Sequence, residues 1–70
     1  MYITYDPKVD ALYIRFRKTT TTSKLLAKGI AADYDSAGKL AGIEILDAID
    51  RLGGKKTFHK VTLEEVGLGA

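Results

Sequence analysis

The chain predicts an α+β fold: a four-stranded antiparallel sheet made of two hairpins, with a short helix after the fourth strand. Two observations carry this. Tyr5-Asp6-Pro7-Lys8-Val9-Asp10 runs into Ala11-Leu12-Tyr13-Ile14-Arg15-Phe16, and Asp33-Tyr34-Asp35-Ser36-Ala37-Gly38 leads to Gly42-Ile43-Glu44-Ile45-Leu46. In each, acidic and turn-forming residues interrupt an alternating apolar run, which is the pattern of a β-hairpin.

The elements follow in order. Residues 2–5 are β-prone and form a short first strand. Pro7 cannot donate a ladder hydrogen bond and presets a turn φ, so 6–10 read as a turn. Residues 11–17 set Leu12, Ile14 and Phe16 on one side and Tyr13, Arg15 and Arg17 on the other, the period of a strand. Lys18 to Ser23, with its four consecutive threonines, is a polar connection. Residues 24–34 form the third strand, with an interruption at Gly29, and 39–46 the fourth.

A four-residue loop at 35–38 sets Ile30 against Ile43, Ala32 against Ala41 and Tyr34 against Lys39. Ile30, Ala32, Ala41, Ile43 and Ile45 then share one face. Ala31, Asp33, Gly42 and Glu44, with Leu40 and Leu46, share the other. A slip by one residue would mix the two sets, so the apolar pattern favours this register.

Asp47 reads as an N-cap and Gly53 as the stop of a helix of at most about two turns. Lys55 to Val61 has the composition of a fifth, edge strand. Thr62 and Glu65 have capping-box spacing, and Gly67 and Gly69 end whatever turn follows.

Seventy residues make one domain. A core of this size rarely supplies more than about 3–5 kcal/mol, so small chains add disulfides, a metal or a partner subunit. The chain has no cysteine and one histidine, His59, which excludes disulfides and a Cys/His metal site. Self-association as a homo-oligomer is the remaining source of stability, and 46% hydrophobic residues supply the material. The formal charge of +2 is too mild to imply nucleic-acid binding. Residues 1–35 carry six basic and four acidic groups, and residues 36–70 five of each. No apolar run approaches the ~18 residues of a membrane span. Met1-Tyr2-Ile3-Thr4-Tyr5-Asp6 lacks the basic start and apolar stretch of a signal peptide, so the expected compartment is the cytoplasm.

Tyr5-Asp6…Asp10-Ala11-Leu12-Tyr13-Ile14-Arg15 and Asp33-Tyr34-Asp35…Gly38…Gly42-Ile43-Glu44-Ile45-Leu46 together resemble the domain of unknown function numbered twenty-two eighty-three, a set of small prokaryotic proteins. The likeness covers roughly residues 2–50 and leaves 55–70 as a C-terminal extension. It implies an antiparallel sheet with a short helix, no assigned activity and no catalytic residues. Some members look like partners of small toxin-like proteins, which implies an antitoxin-like regulatory role as one alternative. The chain departs from the family pattern at Ala37, where an acidic residue is common.

Several constellations bear on chemistry. Asp33-x-Asp35-x-Ala37-Gly38-x5-Glu44 approaches a calcium loop. Ala37 deletes a ligand, and a strand carries Glu44 about 16 Å from the turn. The pattern therefore reads as an Asp/Gly hairpin turn, with Asp35 bonding its own backbone and Gly38 at positive φ, and no metal or other cofactor is expected. Asp33 and Glu44 share a face, but the register above sets Glu44 opposite Gly29, roughly 13 Å from Asp33 and too far for coupled acid–base work. The Asp6/Asp10 and Asp47/Asp50 pairs read as turn and cap residues.

Arg15 and Glu44 read as a cross-strand ion pair, with a ligand-facing Arg15 beside Tyr13 as the sharper alternative. His59 has no partner spacing that marks a general base. Lys55, Lys56, His59 and Lys60 surround Phe58, and Arg15, Arg17 and Lys18 form a second basic group. Such residues can track a phosphate backbone. They also guard sheet edges, and no nucleic-acid motif accompanies them. The sequence therefore points to a non-catalytic, self-associating interaction module. The alternatives are an antitoxin-like regulator with a small protein partner, contacting nucleic acid, and a minor enzyme using Asp33, Glu44 and Arg15. The ligand-facing candidates are Tyr13, Arg15, Asp33 and Glu44.

Overall fold

A computed structural model describes residues 1–64. They form an antiparallel sheet of five strands, not four, followed by a short helix. In chain order the strands are β1 (Tyr2–Asp6), β2 (Ala11–Arg15), β3 (Thr22–Ala27), β4 (Ile30–Tyr34) and β5 (Leu40–Leu46). Across the sheet they run β1-β2-β5-β4-β3, so β5 is central and β1 and β3 are edges.

The fifth strand arises because the expected strand 24–34 folds back on itself. Lys28-Gly29 turns the chain between Ala27 and Ile30, and Gly29 takes φ 80°. Glycine reaches that region without the Cβ clash other residues suffer. The β4–β5 register also differs from expectation. Ile30 faces Ile45, Ala31 faces Glu44, Ala32 faces Ile43 and Asp33 faces Gly42. The loop spans 35–39, Tyr34 faces Leu40, and the register shifts between Asp33 and Tyr34. From Ile30 to Asp33 the slide against the expected register is two residues, an even number, so these side chains keep their expected faces, while at Tyr34 the slide is one.

Two rows cross the inner face. One is Tyr5, Leu12, Ile45 and Ile30; the other is Ile3, Ile14, Ile43, Ala32 and Lys24. Among the described residues the buried apolar side chains are Leu12, Ala32, Ala41 and Ala48, three of them alanine. A fully buried Leu contributes about 1.5–3 kcal/mol and an alanine methyl much less, so this core is thin even for its size.

Helix α1 (Ala48–Arg51) follows β5. Asp47 is its N-cap residue, yet it sits at φ 51° and makes no side-chain cap bond. Asp10 caps the helix instead. The Ala48 N–H donates to the Asp10 carbonyl at 3.0 Å, and the Ile49 N–H to Asp10 Oδ1 at 3.1 Å. At the other end, Arg51 Nη2 donates to the Lys28 carbonyl at 2.6 Å. One short helix thereby ties the Asp10 turn of the β1–β2 hairpin to the Gly29 turn of the β3–β4 hairpin. Gly53 follows at φ 91°, the expected stop.

Lys55–His59 is a 3₁₀ helix rather than the expected edge strand. Thr57 Oγ1 donates to the Leu52 carbonyl at 2.5 Å, curling the segment back. Its Phe58 ring packs on Tyr5 with centroids 4.9 Å apart. The expected capping box at Thr62–Glu65, and Gly67 and Gly69, extend outside the described residues.

Candidate functional site

The outer face of the sheet carries most of the polar side chains of the central strands. Strand parity sets two rows there. The first is Tyr2, Arg15, Gly42, Asp33 and Ser23; the second is Thr4, Tyr13, Glu44, Ala31 and Leu25. The residues expected to face a ligand, Tyr13, Arg15, Asp33 and Glu44, therefore lie on one face of three adjacent strands.

The corrected register changes their relations. Glu44 stands directly between Tyr13 and Ala31, one diagonal step from Asp33, and not opposite Gly29. Diagonal neighbours on a sheet sit about 7–8 Å apart, within reach of long side chains. Tyr13, Ser23, Ala31, Asp33 and Glu44 line a shallow cleft of about 210 Å³. Arg15 is not part of it. It faces Gly42 across the ladder, not Glu44, and its guanidinium lies 5.6 Å from the Tyr13 ring centroid. With Tyr2, Thr4, Tyr13 and Lys18 it lines a second cleft of about 190 Å³. The expected Arg15–Glu44 ion pair gives way to a cation–π contact, because the two residues are offset along the strands.

Asp33 is the hub of the first cleft. The Tyr13 hydroxyl donates to its Oδ2 at 2.6 Å and the Ser23 hydroxyl to its Oδ1 at 2.5 Å. Tyr13 reaches it from two strands away because its side chain lies over Gly42. A Cβ built at Gly42 would sit 2.9 Å from Tyr13 Oη. Ser23 and Gly42 escaped the sequence reading. Ser23 lies near the start of β3, in the part that reads as polar connection, and the role of Gly42 appears only once the register is known.

The electrostatics follow from these bonds. The Ser23 and Tyr13 hydroxyls stabilise the ionised Asp33 and hold its pKa below 3.8. The same bond raises Tyr13 above 10.0, because ionising the phenol would break it beside a negative charge. At neutral pH Asp33 stays charged and Tyr13 stays protonated, so neither is poised for proton transfer. The cleft instead presents a fixed negative charge, two hydroxyls and the Glu44 carboxylate. Among the described residues no group of three or more His, Asp or Glu side chains converges as a metal site.

The acidic turns are structural. Asp35 Oδ1 accepts from the Ala37 and Lys39 N–H groups at 2.9 and 2.8 Å, and Gly38 sits at φ 79°. Those bonds, the Lys39 N–H first, and the Arg17 guanidinium 2.5 Å from Oδ2 lower the Asp35 pKa. Asp6 Oδ1 likewise accepts from Lys8 N–H at 2.9 Å. The basic cluster around Phe58 loses its aromatic member, since that ring packs on Tyr5 while Lys55, Lys56, His59 and Lys60 are exposed.

Among the described residues, no helix is long and apolar enough to cross a membrane. No curated protein and no solved structure matches the chain significantly. Residues 2–48, which include all five strands, match the family described as protein of unknown function (DUF2283), and the chain belongs to that family.

Proposed function

We infer that this protein is a non-catalytic interaction module that works as a self-associated assembly. The observation that supports this is the imbalance between sheet and core. Among the described residues, five strands are held over four buried apolar residues, while Tyr2, Ile3, Leu25, Leu26, Leu40 and Leu46 remain substantially exposed. A chain of this size with so little buried surface gains most from covering apolar residues with a partner. Sedimentation equilibrium at micromolar concentration tests the reading. The expected mass is at least twice 7.6 kDa. A thermally stable species at the monomer mass sinks it.

A second reading is supported by the Tyr13–Ser23–Asp33–Glu44 cleft. Its negative charge and hydroxyl lining suit a small cationic donor, an ammonium or guanidinium group, held by recognition alone. Chemical-shift changes at Ala31 and Asp33 on adding an alkylguanidinium, absent in Asp33→Asn, are the expected result. Unmoved signals would remove this reading. Catalysis through Asp33, Glu44 and Arg15 finds less support, because Arg15 lines a different cleft and the Ser23 and Tyr13 hydroxyls favour the charged form of Asp33. The antitoxin-like role rests on the family resemblance alone.

A further inference from the structure

The sheet has two edges, and they are built differently. Edge β3 carries Lys24 within the strand and a register shift between Leu25 and Ala27. Both a lysine and a bulge are devices that keep an edge from pairing with another chain. Edge β1 has neither. Tyr2-Ile3-Thr4-Tyr5 is uncharged, rich in β-formers, and runs in unbroken register along β2. Its one charged side chain is Asp6, at the far end, and Pro7 follows just beyond the strand.

We propose that a second copy of this chain pairs antiparallel along β1, joining the two sheets into one of ten strands. The inference rests on the self-association read above and names the surface that carries it. A twofold axis through Thr4, the middle of the strand, sets Thr4 against Thr4, Ile3 against Tyr5 and Tyr2 against Asp6 of the other copy. Residues directly opposite in an antiparallel pair point to the same face, so both faces can be checked.

On the inner face, the row Ala32, Ile43, Ile14, Ile3 of one copy continues into Tyr5, Leu12, Ile45, Ile30 of the other. The two apolar rows of each subunit thus join end to end, and Ile3, 48% exposed in the single chain, gains an aromatic neighbour. On the outer face, Arg15 stands beside Tyr2, and Asp6 of the other copy falls on the far side of Tyr2. Two strand spacings separate the Cα atoms of that Arg15 and Asp6, about 9.6 Å, a span the arginine side chain covers. Lys18 lines the same cleft and adds to the positive end. The twofold repeats this match of opposite charges at both ends of the strand. The same operation on β3 brings Lys24 against or beside its own copy.

Sedimentation equilibrium on three chains tests the proposal: the parent, Ile3→Lys and Leu25→Lys. Ile3→Lys sets a charge opposite Tyr5 of the other copy, and the half-exposed position tolerates lysine in the single subunit. The expected result is a dimer for the parent and for Leu25→Lys, with the dissociation constant of Ile3→Lys raised at least about tenfold. Amide hydrogen exchange on the parent supplies a readout that needs no variant. Outward-pointing N–H groups of β1 should be protected in the dimer and lose protection on dilution, with β3 unchanged. A dimer that survives Ile3→Lys and splits in Leu25→Lys, or that leaves β1 unprotected, overturns pairing along β1 while self-association stands. A parent chain that is monomeric throughout overturns both.

Discussion

Replacing Gly42 with alanine probes how the outer face is built. A Cβ there lies 2.9 Å from Tyr13 Oη, 3.2 Å from Tyr13 Cζ and 3.0 Å from the Ile14 carbonyl oxygen. The carbonyl belongs to the β2–β5 ladder, where Arg15 faces Gly42, and it cannot retreat without breaking pairing. The Tyr13 ring is the part that yields, and with it goes the 2.6 Å bond to Asp33. A hydrogen bond to a charged group contributes about 1.5–3 kcal/mol, and partial exposure reduces that to about 1. Residual crowding against the carbonyl adds about 1 kcal/mol. The lower backbone entropy of alanine in a strand offsets about 0.5–1. The net loss should be about 1–1.5 kcal/mol, read from urea unfolding by circular dichroism at fixed protein concentration. Tyr13→Phe alone should cost about 1 kcal/mol. In the Phe background Gly42→Ala should then cost clearly less, because the 2.9 Å contact and the bond are both gone. Strict additivity of the two changes would refute the idea that Gly42 exists to let Tyr13 reach Asp33.

Asp10→Ala removes the cap on the Ile49 N–H and places alanine at φ 51°; a loss of about 2–3 kcal/mol is expected, with weakened helix signals in NMR. A Cβ at Gly38 has open space around it, so the cost of Gly38→Val should come chiefly from its φ of 79°, about 1–2 kcal/mol by denaturant unfolding, with the β4–β5 pairing retained. The pH dependence has a defined sign at each end. Asp33 and Asp35 have lowered folded-state pKa values, so their contribution is complete above pH 3.8 and lost as pH falls through those lower values. Tyr13 has a raised value, so its contribution is complete below pH 10.0 and lost as pH rises through that higher value. Melting temperatures should therefore be flat around neutrality and drop at both extremes. Asp33→Asn should flatten part of the acid limb and Tyr13→Phe part of the alkaline one.

Sequence pattern exposes side-chain parity far better than it exposes where the chain turns. The Leu12-Ile14 and Ile43-Ile45 alternations identify the inner face because burial on a sheet repeats every two residues. They are indifferent to a slide of two, which is why Ala32 was expected opposite Ala41 and lies opposite Ile43. Lys28-Gly29 is a weak turn signal inside an apolar stretch, so one strand was read where the chain makes two. Ser23 is obscured by the threonine-rich stretch before it, and the expected register sets Glu44 four residues from Asp33 although the two share a cleft. The cap on α1 was illegible for another reason. Asp47 has the right residue type and place, but the bond comes from Asp10, distant in sequence and brought there only by the closed sheet.

The place of β5 has a consequence for how the sheet assembles. The β1–β2 and β3–β4 pairings join neighbours in the chain and can close within microseconds. Neither two-stranded piece is stable alone. Among the strands only β5 pairs with both, through β4 next to it in sequence and through β2 across the whole intervening hairpin. That last ladder is the slow, entropically costly step. It also marks a line of division. A chain cut within residues 16–21 would leave a two-stranded fragment and a three-stranded one whose only shared ladder is β2–β5. Mixed together, the halves should find each other along that seam and rebuild the sheet.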